Sequence, residues 1–135
     1  MLQKLLVDAG ISQLNSMQVL AIDEIRNGTN VLIVAPTGSG KTEAALLPIL
    51  VSLGEEENLG IQALYVTPLR ALNRDMIGRI QRLVAHTKLT AAVRHGDTSP
   101  AERRKQAATP PNLLITTPET LQAILSGKEI GRAHV

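Results

Sequence analysis

The sequence predicts an α/β protein, a parallel sheet covered by helices on both faces in three layers. Two observations predict it. Short, nearly continuous apolar runs rich in β-branched residues alternate along the 135 residues with longer stretches whose apolar positions recur every three or four residues. A glycine-rich turn, Ala35-Pro36-Thr37-Gly38-Ser39-Gly40-Lys41-Thr42, stands between the first such run and the helical stretch after it. A run that is apolar on both sides is what a strand covered on both faces of a parallel sheet requires.

Taken in order, a helix capped by Asn15 or Ser16 runs to about Asn27, with Gly28 placed just past its end. The first strand is Val31 to Ala35, followed by the glycine-rich turn and a helix beginning near Lys41. Pro48 implies a kink in that helix. Gly54 to Gly60 reads as a loop, and Ile61 to Thr67 as the second strand. Leu69, Leu72, Met76, Ile80 and Leu83 then form one apolar stripe, predicting a helix packed on the sheet with its arginines outward. Leu89 to Arg94 is the third strand. Ser99, Pro100 and Glu102 form a capping box with proline at the first helical position, starting a helix near residue 100. The fourth strand, Leu113 to Thr117, leads into a second start signal at Thr117-Pro118, and Gly127 ends the last helix. No repeat or linker interrupts the chain, so one domain over residues 1–135 is expected.

Composition removes several classes of function. Apolar residues at 44% and charged residues at 19% are those of a globular chain rather than a disordered one. Tyr65 is the one aromatic residue, so the core must be built from Leu, Ile, Val and Ala, and stacking of bases on an aromatic platform is excluded. The absence of cysteine excludes disulfides and thiolate metal sites, and His86, His95 and His134 lack metal-ligand spacing. The N-terminal apolar run is too short for a signal peptide, and no run reaches the ~18 apolar residues of a membrane span, so a cytoplasmic protein is expected. Net charge is only +2, but between Pro68 and Lys105 nine basic residues face three acidic ones. A local excess of this kind suits a polyanionic partner.

The glycine-rich turn carries the chemistry. Gly38 and Gly40 permit backbone conformations and approaches that a β-carbon hinders, so successive amides can point at phosphate oxygens. The positive end of the following helix falls on the same spot. Lys41 is placed to reach the β and γ phosphates and the Thr42 hydroxyl to join a Mg²⁺ shell, making these two the candidate catalytic residues. Ala35, Pro36, Thr37, Gly38, Ser39, Gly40 and Glu43 complete the candidate nucleotide site.

APTGSGKT resembles motif I of the superfamily-two helicases, with Ala35 where a stricter phosphate loop has glycine. The resemblance implies a RecA-like P-loop NTPase domain using ATP and Mg²⁺. Gln18, in LNSMQVLAIDEI, resembles the glutamine of the Q motif, whose carboxamide would pair with adenine; read without the family it is an ordinary helix-surface residue. Ile11 stands about where an aromatic is usual in the DEAD-box branch. YVTPLRALNRD resembles motif Ia, in wording similar to the Lhr-like helicases, and implies nucleic-acid backbone contacts at Pro68, Leu69 and Arg70. RHGDTSPAERRK is similar to the segment that follows in those families, implying Gly96, Asp97 and Thr98 along the strand track. TTPET resembles motif Ib and implies Thr117, Pro118 and Glu119. The partner implied is single-stranded or partly duplex nucleic acid, DNA before RNA. A motor of this class also needs a carboxylate pair to hold Mg²⁺. No Asp-Glu pair follows the loop, and Asp23-Glu24 lies in a helix before it. The chain therefore reads as the N-terminal portion of the first motor domain, cut before the strand that carries that pair and inactive alone. Two other readings stay open: a different phosphate-loop kinase or ATPase, and a noncatalytic nucleic-acid-binding module.

Overall fold

The computed structural model describes residues 2–53 and 60–127. They fall into two compact units.

The first unit holds three helices, α1 (Leu2–Asp8), α2 (Ser16–Arg26) and α3 (Lys41–Leu53). Leu5, Ala21, Ile22, Ala44, Leu46, Leu47, Leu50 and Val51 are buried and make its core. Asn15 settles the start of α2: its Oδ1 accepts the Gln18 amide at 2.9 Å, while Gln18 Oε1 accepts the Asn15 amide at 3.0 Å. This reciprocal pair satisfies two of the orphan donors at a helix start. Gly28, at φ +81°, ends the helix in the left-handed conformation that glycine adopts without steric cost. α3 continues across the buried Pro48 as one helix, and Ser52 Oγ donates to the Pro48 carbonyl at 2.9 Å.

Val31 to Ala35 is not a strand, contrary to its composition. It belongs to no ladder, and Leu32 and Val34 are 88% and 85% exposed. A strand is completed by hydrogen bonds to a neighbouring strand rather than by its own side chains, and among the described residues this run pairs with none.

The second unit is built on three parallel strands, β1 (Ala63–Val66), β2 (Ala91–Arg94) and β3 (Leu113–Thr116), in the order β1-β3-β2. Ala63 and Ala91 both lie opposite Leu113, and Val66 and Arg94 both lie opposite Thr116. The central β3 is buried at all four positions, whereas β1 alternates and leaves Leu64 and Val66 exposed. Continuous burial thus marks the strand flanked on both sides, although the edge strand β1 is as apolar in sequence. Asn112 ties the strand starts together: its Nδ2 donates to the Gly60 carbonyl at 3.0 Å and its Oδ1 accepts the Thr90 amide at 3.0 Å.

The apolar stripe after β1 is broken in two. Leu69–Ala71 form a short 3-10 turn with Leu72 as its C-cap, and the helix proper, α4 (Arg74–Ala85), starts only afterwards. The break is local: Asn73 Oδ1 accepts the Met76 amide at 2.8 Å, so a capping side chain opens α4 there. Ile80 and Leu83 are buried as the stripe requires, Leu69 is 56% exposed, and Arg74, Arg79 and Arg82 face outward. Two further helices, α5 (Pro100–Ala108) and α6 (Pro118–Ser126), begin where Ser99 Oγ accepts the Glu102 amide and Thr117 Oγ1 accepts the Thr120 amide. No described helix is long and apolar enough to cross a membrane. Except for Gly60, the loop expected over Gly54 to Gly60 lies outside the described residues.

Candidate functional site

In the first unit the segment from Ala35 to Gly40 stands outside regular secondary structure, and α3 opens at Lys41. Gly38 and Gly40 take φ values of +82° and +87°, in the left-handed region that L side chains rarely occupy. Their roles differ. A β-carbon on Gly38 would meet nothing within 4 Å, whereas one on Gly40 would lie 2.3 Å from Gln18 Nε2. Ser39 turns the loop back on itself, its amide donating to the Pro36 carbonyl at 3.2 Å and its hydroxyl to the same oxygen. Lys41 reaches back over the loop, Nζ donating to the Ala35 carbonyl at 2.6 Å. The first helical bond of α3 runs from the Ala44 amide to the Gly40 carbonyl at 3.0 Å, so the amides of Lys41 and Thr42 precede it. Two amides, one ammonium and one hydroxyl thereby gather at the positive end of a 13-residue helix. Pro36, Thr37 and Gly38 are exposed, while Ala35, Ser39, Gly40, Lys41, Thr42 and Glu43 are partly buried.

Gln18 is 7% exposed, so it is not the surface residue its helix position alone suggests. Its Nε2 donates to the Gly40 carbonyl at 3.2 Å. Together with the capping bond this uses one of the carboxamide's two donors and one of its two acceptor sites. Asn15 adds a second tie, Nδ2 donating to the Ser39 carbonyl at 2.9 Å.

In the second unit the parallel sheet gathers three candidate segments at one edge. Pro68, Leu69 and Arg70 follow β1, Thr117, Pro118 and Glu119 follow β3, and Gly96, Asp97 and Thr98 follow β2. All three leave the carboxyl ends of their strands, the edge where open α/β sheets carry ligands. Pro68, Leu69, Arg70, Gly96, Asp97, Pro118 and Glu119 are exposed, Thr98 is partly buried, and Thr117 is 3% exposed with its hydroxyl engaged as the α6 cap.

The loop after β2 is held rigidly. The His95 amide donates to Thr98 Oγ1 at 2.9 Å, and the Asp97 amide donates to His95 Nδ1 at 3.0 Å, which places a lone pair on that nitrogen. Arg103, on α5, donates from Nε to the Thr98 carbonyl at 3.0 Å and from one terminal nitrogen to the Gly96 carbonyl at 3.0 Å. Arg94 departs from the expected basic surface: it is 2% exposed. Burial lowers its pKa from the usual arginine value, and the like charge of Arg103 adds to the effect. Position in the sheet decides this: Arg94 ends β2 opposite the buried Thr116 of the central strand.

The sequence profile of the DEAD/DEAH box helicases matches residues 15–134. This chain belongs to the DEAD/DEAH box helicase family.

Helicase relatives agree in sequence and in fold. The chain is 44% identical over 126 residues to ATP-dependent helicase Lhr-Core protein 2 of Thermococcus barophilus, covering 81% of this chain and 15% of that protein. It is 36% identical over 118 residues to the Lhr helicase/uracil glycosylase of Escherichia coli, covering 72% of this chain and 8% of that one. The structure of Mycobacterium smegmatis helicase Lhr bound to ssDNA and AMP-PNP matches with a TM-score of 0.76 at 36% identity, over 93% of this chain and 18% of that one. The helicase MrfA bound to DNA matches with a TM-score of 0.78 at 32% identity, over 92% and 18%. The fold is therefore that of a RecA-like helicase domain, and the chain spans less than a fifth of the length of these relatives.

Within this helicase fold two residues escape a reading by motif. Asn15 announces itself only as a cap, through its three-residue spacing to Gln18, and its second bond is made 24 residues away. Arg103 is one of several bases in a charged stretch, and nothing in its neighbours tells that its guanidinium is directed at loop carbonyls.

Proposed function

We propose that this chain is part of the first motor domain of an ATP-dependent nucleic-acid helicase, binding ATP through Ala35–Glu43 and the nucleic-acid backbone through the three loops at the carboxyl edge of its sheet. The observation that carries the reading is the phosphate loop: Gly38 and Gly40 are left-handed, and Lys41 heads α3 with its ammonium across the turn. These residues fit a nucleotide. Amides and an ammonium supply fixed positive ends for phosphate oxygens, and Thr42 would supply a hydroxyl to Mg²⁺. ATP with Mg²⁺ supplies the phosphoanhydride bond whose cleavage drives such a motor. Lys41 exchanges the Ala35 carbonyl for phosphate oxygens, and Gln18 keeps one donor and one acceptor site for the adenine edge.

At the sheet edge, Arg70 and the exposed backbone near Gly96, Asp97, Pro118 and Glu119 touch phosphates, contacts that position a strand without reading its sequence. DNA is the preferred partner, supported by structural neighbours solved with ssDNA or DNA. A chain without cysteine that works on nucleic acid suits a cytoplasmic setting. The test is Lys41→Ala in the full-length protein that carries this chain. Binding of a nonhydrolysable ATP analogue and single-strand-stimulated ATP hydrolysis should both fall by at least about tenfold, the loss of one charge-assisted contact or more. Unchanged nucleotide binding would refute the reading.

A further inference from the structure

We infer that Asn15 is a positioning residue for the phosphate loop: it fixes the direction of one loop peptide group and, through the capping box, braces the Gln18 side chain that holds the next. The inference rests on the nucleotide-binding reading of that loop. Asn15 Nδ2 holds the Ser39 carbonyl at 2.9 Å, and Gln18 Nε2 holds the next carbonyl, that of Gly40, at 3.2 Å. Among the described residues no peptide is cis, and in a planar trans peptide the carbonyl and the following amide point in opposite directions. Pinning the Ser39 carbonyl toward the start of α2 therefore turns the Gly40 amide the other way, while the Gly40 carbonyl, shared by Gln18 and the Ala44 amide of α3, leaves the Lys41 amide facing opposite to it. Among the described residues neither amide has an acceptor, which is the condition of donors set to receive an anion.

The two carboxamides do not act independently. Each caps the other through the backbone, Asn15 Oδ1 taking the Gln18 amide at 2.9 Å and Gln18 Oε1 taking the Asn15 amide at 3.0 Å. One face of Asn15 thus starts α2 and the other aims the loop. A β-carbon on Gly40 would displace the Gln18 nitrogen that holds its carbonyl, so a side chain there disturbs the same arrangement. Gln18 is placed to sense the base, but Asn15 contacts only the loop backbone, so its effect should fall on every triphosphate alike.

Asn15→Ser separates the two roles, because serine caps a helix about as well as asparagine and completes a capping box with Gln18, yet lacks the amide donor. In the full-length protein that carries this chain, Asn15→Ser should leave the melting temperature near that of the parent. It should weaken a nonhydrolysable ATP analogue, its GTP counterpart and inorganic triphosphate by similar factors of about three to ten, the worth of one hydrogen bond. Asn15→Ala should show the same weakening with a lowered melting temperature, and Asn15→Gln, which keeps the donor on a longer arm, should recover part of the affinity. Lys41→Ala, measured beside them, reports on the reading beneath. Parental affinity in Asn15→Ser with binding lost in Lys41→Ala would overturn the positioning role alone. Equal binding by the parent and Lys41→Ala would overturn the nucleotide reading and this inference with it.

Discussion

Replacing the two glycines of the phosphate loop by alanine, one at a time, separates backbone strain from crowding. Both positions are left-handed, at +82° and +87°, so each alanine incurs about 1 to 2 kcal/mol of conformational cost if the loop keeps its shape. At Gly38 that is the whole effect, because the added carbon faces open space. At Gly40 the carbon arrives 2.3 Å from Gln18 Nε2. Gln18 is buried and tied into the capping box, so moving aside breaks its bond to the Gly40 carbonyl, adding about 1 kcal/mol. The free loop of each variant relaxes to escape this cost and must regain its shape when a nonhydrolysable ATP analogue binds, so affinity should fall by up to about 5- to 30-fold for Gly38→Ala and roughly fivefold further for Gly40→Ala. Isothermal titration on the full-length protein measures both. Adding Gln18→Ala to each variant completes the cycle, and the extra penalty at Gly40 should shrink in that background. A Gly40→Ala protein that binds as well as Gly38→Ala would refute the assignment of the Gln18 contact.

Other expectations test separate parts of the molecule. Arg103→Ala should loosen the loop after β2, since the carbonyls of His95, Gly96 and Thr98 lose a donor; single-stranded DNA affinity should fall while the slope of log affinity against log salt stays the same. Arg70→Ala, by contrast, should reduce that slope by about 0.7 to 1, the signature of one lost phosphate contact. Arg103→Lys should not restore binding, because a single ammonium cannot copy the planar fork that spans these three carbonyls. Asn112→Ala should destabilise the second unit by about 2 to 4 kcal/mol in denaturant titrations, as the Gly60 carbonyl and the Thr90 amide each lose a partner. The 135-residue chain by itself should show no steady ATP hydrolysis, because no Asp-Glu pair follows its phosphate loop; measurable turnover by the purified chain would contradict this.

Local chemistry was legible in the sequence wherever the determining atoms lie within a few residues of one another. The caps at Ser99 and Thr117, the left-handed glycines at 28, 38 and 40, and the opening of α3 at Lys41 all follow from side chains and backbone acting over one turn. The parallel sheet followed from the alternation of apolar runs, but which run lies at its centre did not, since β1 reads as apolar as β3 and only the pairing on both sides buries the latter. Tertiary structure decided whatever depends on a partner distant along the chain. Val31 to Ala35 has the composition of a strand but is one only if another chain segment lies beside it. Arg94 reads as surface charge until β2 pairs with the buried β3, and Gln18 reads as a helix residue until α2 meets the phosphate loop. The physical reason is range: a cap or a glycine turn is fixed by bonds to its own neighbours, whereas pairing and burial are properties of two segments and cannot be written in either one alone.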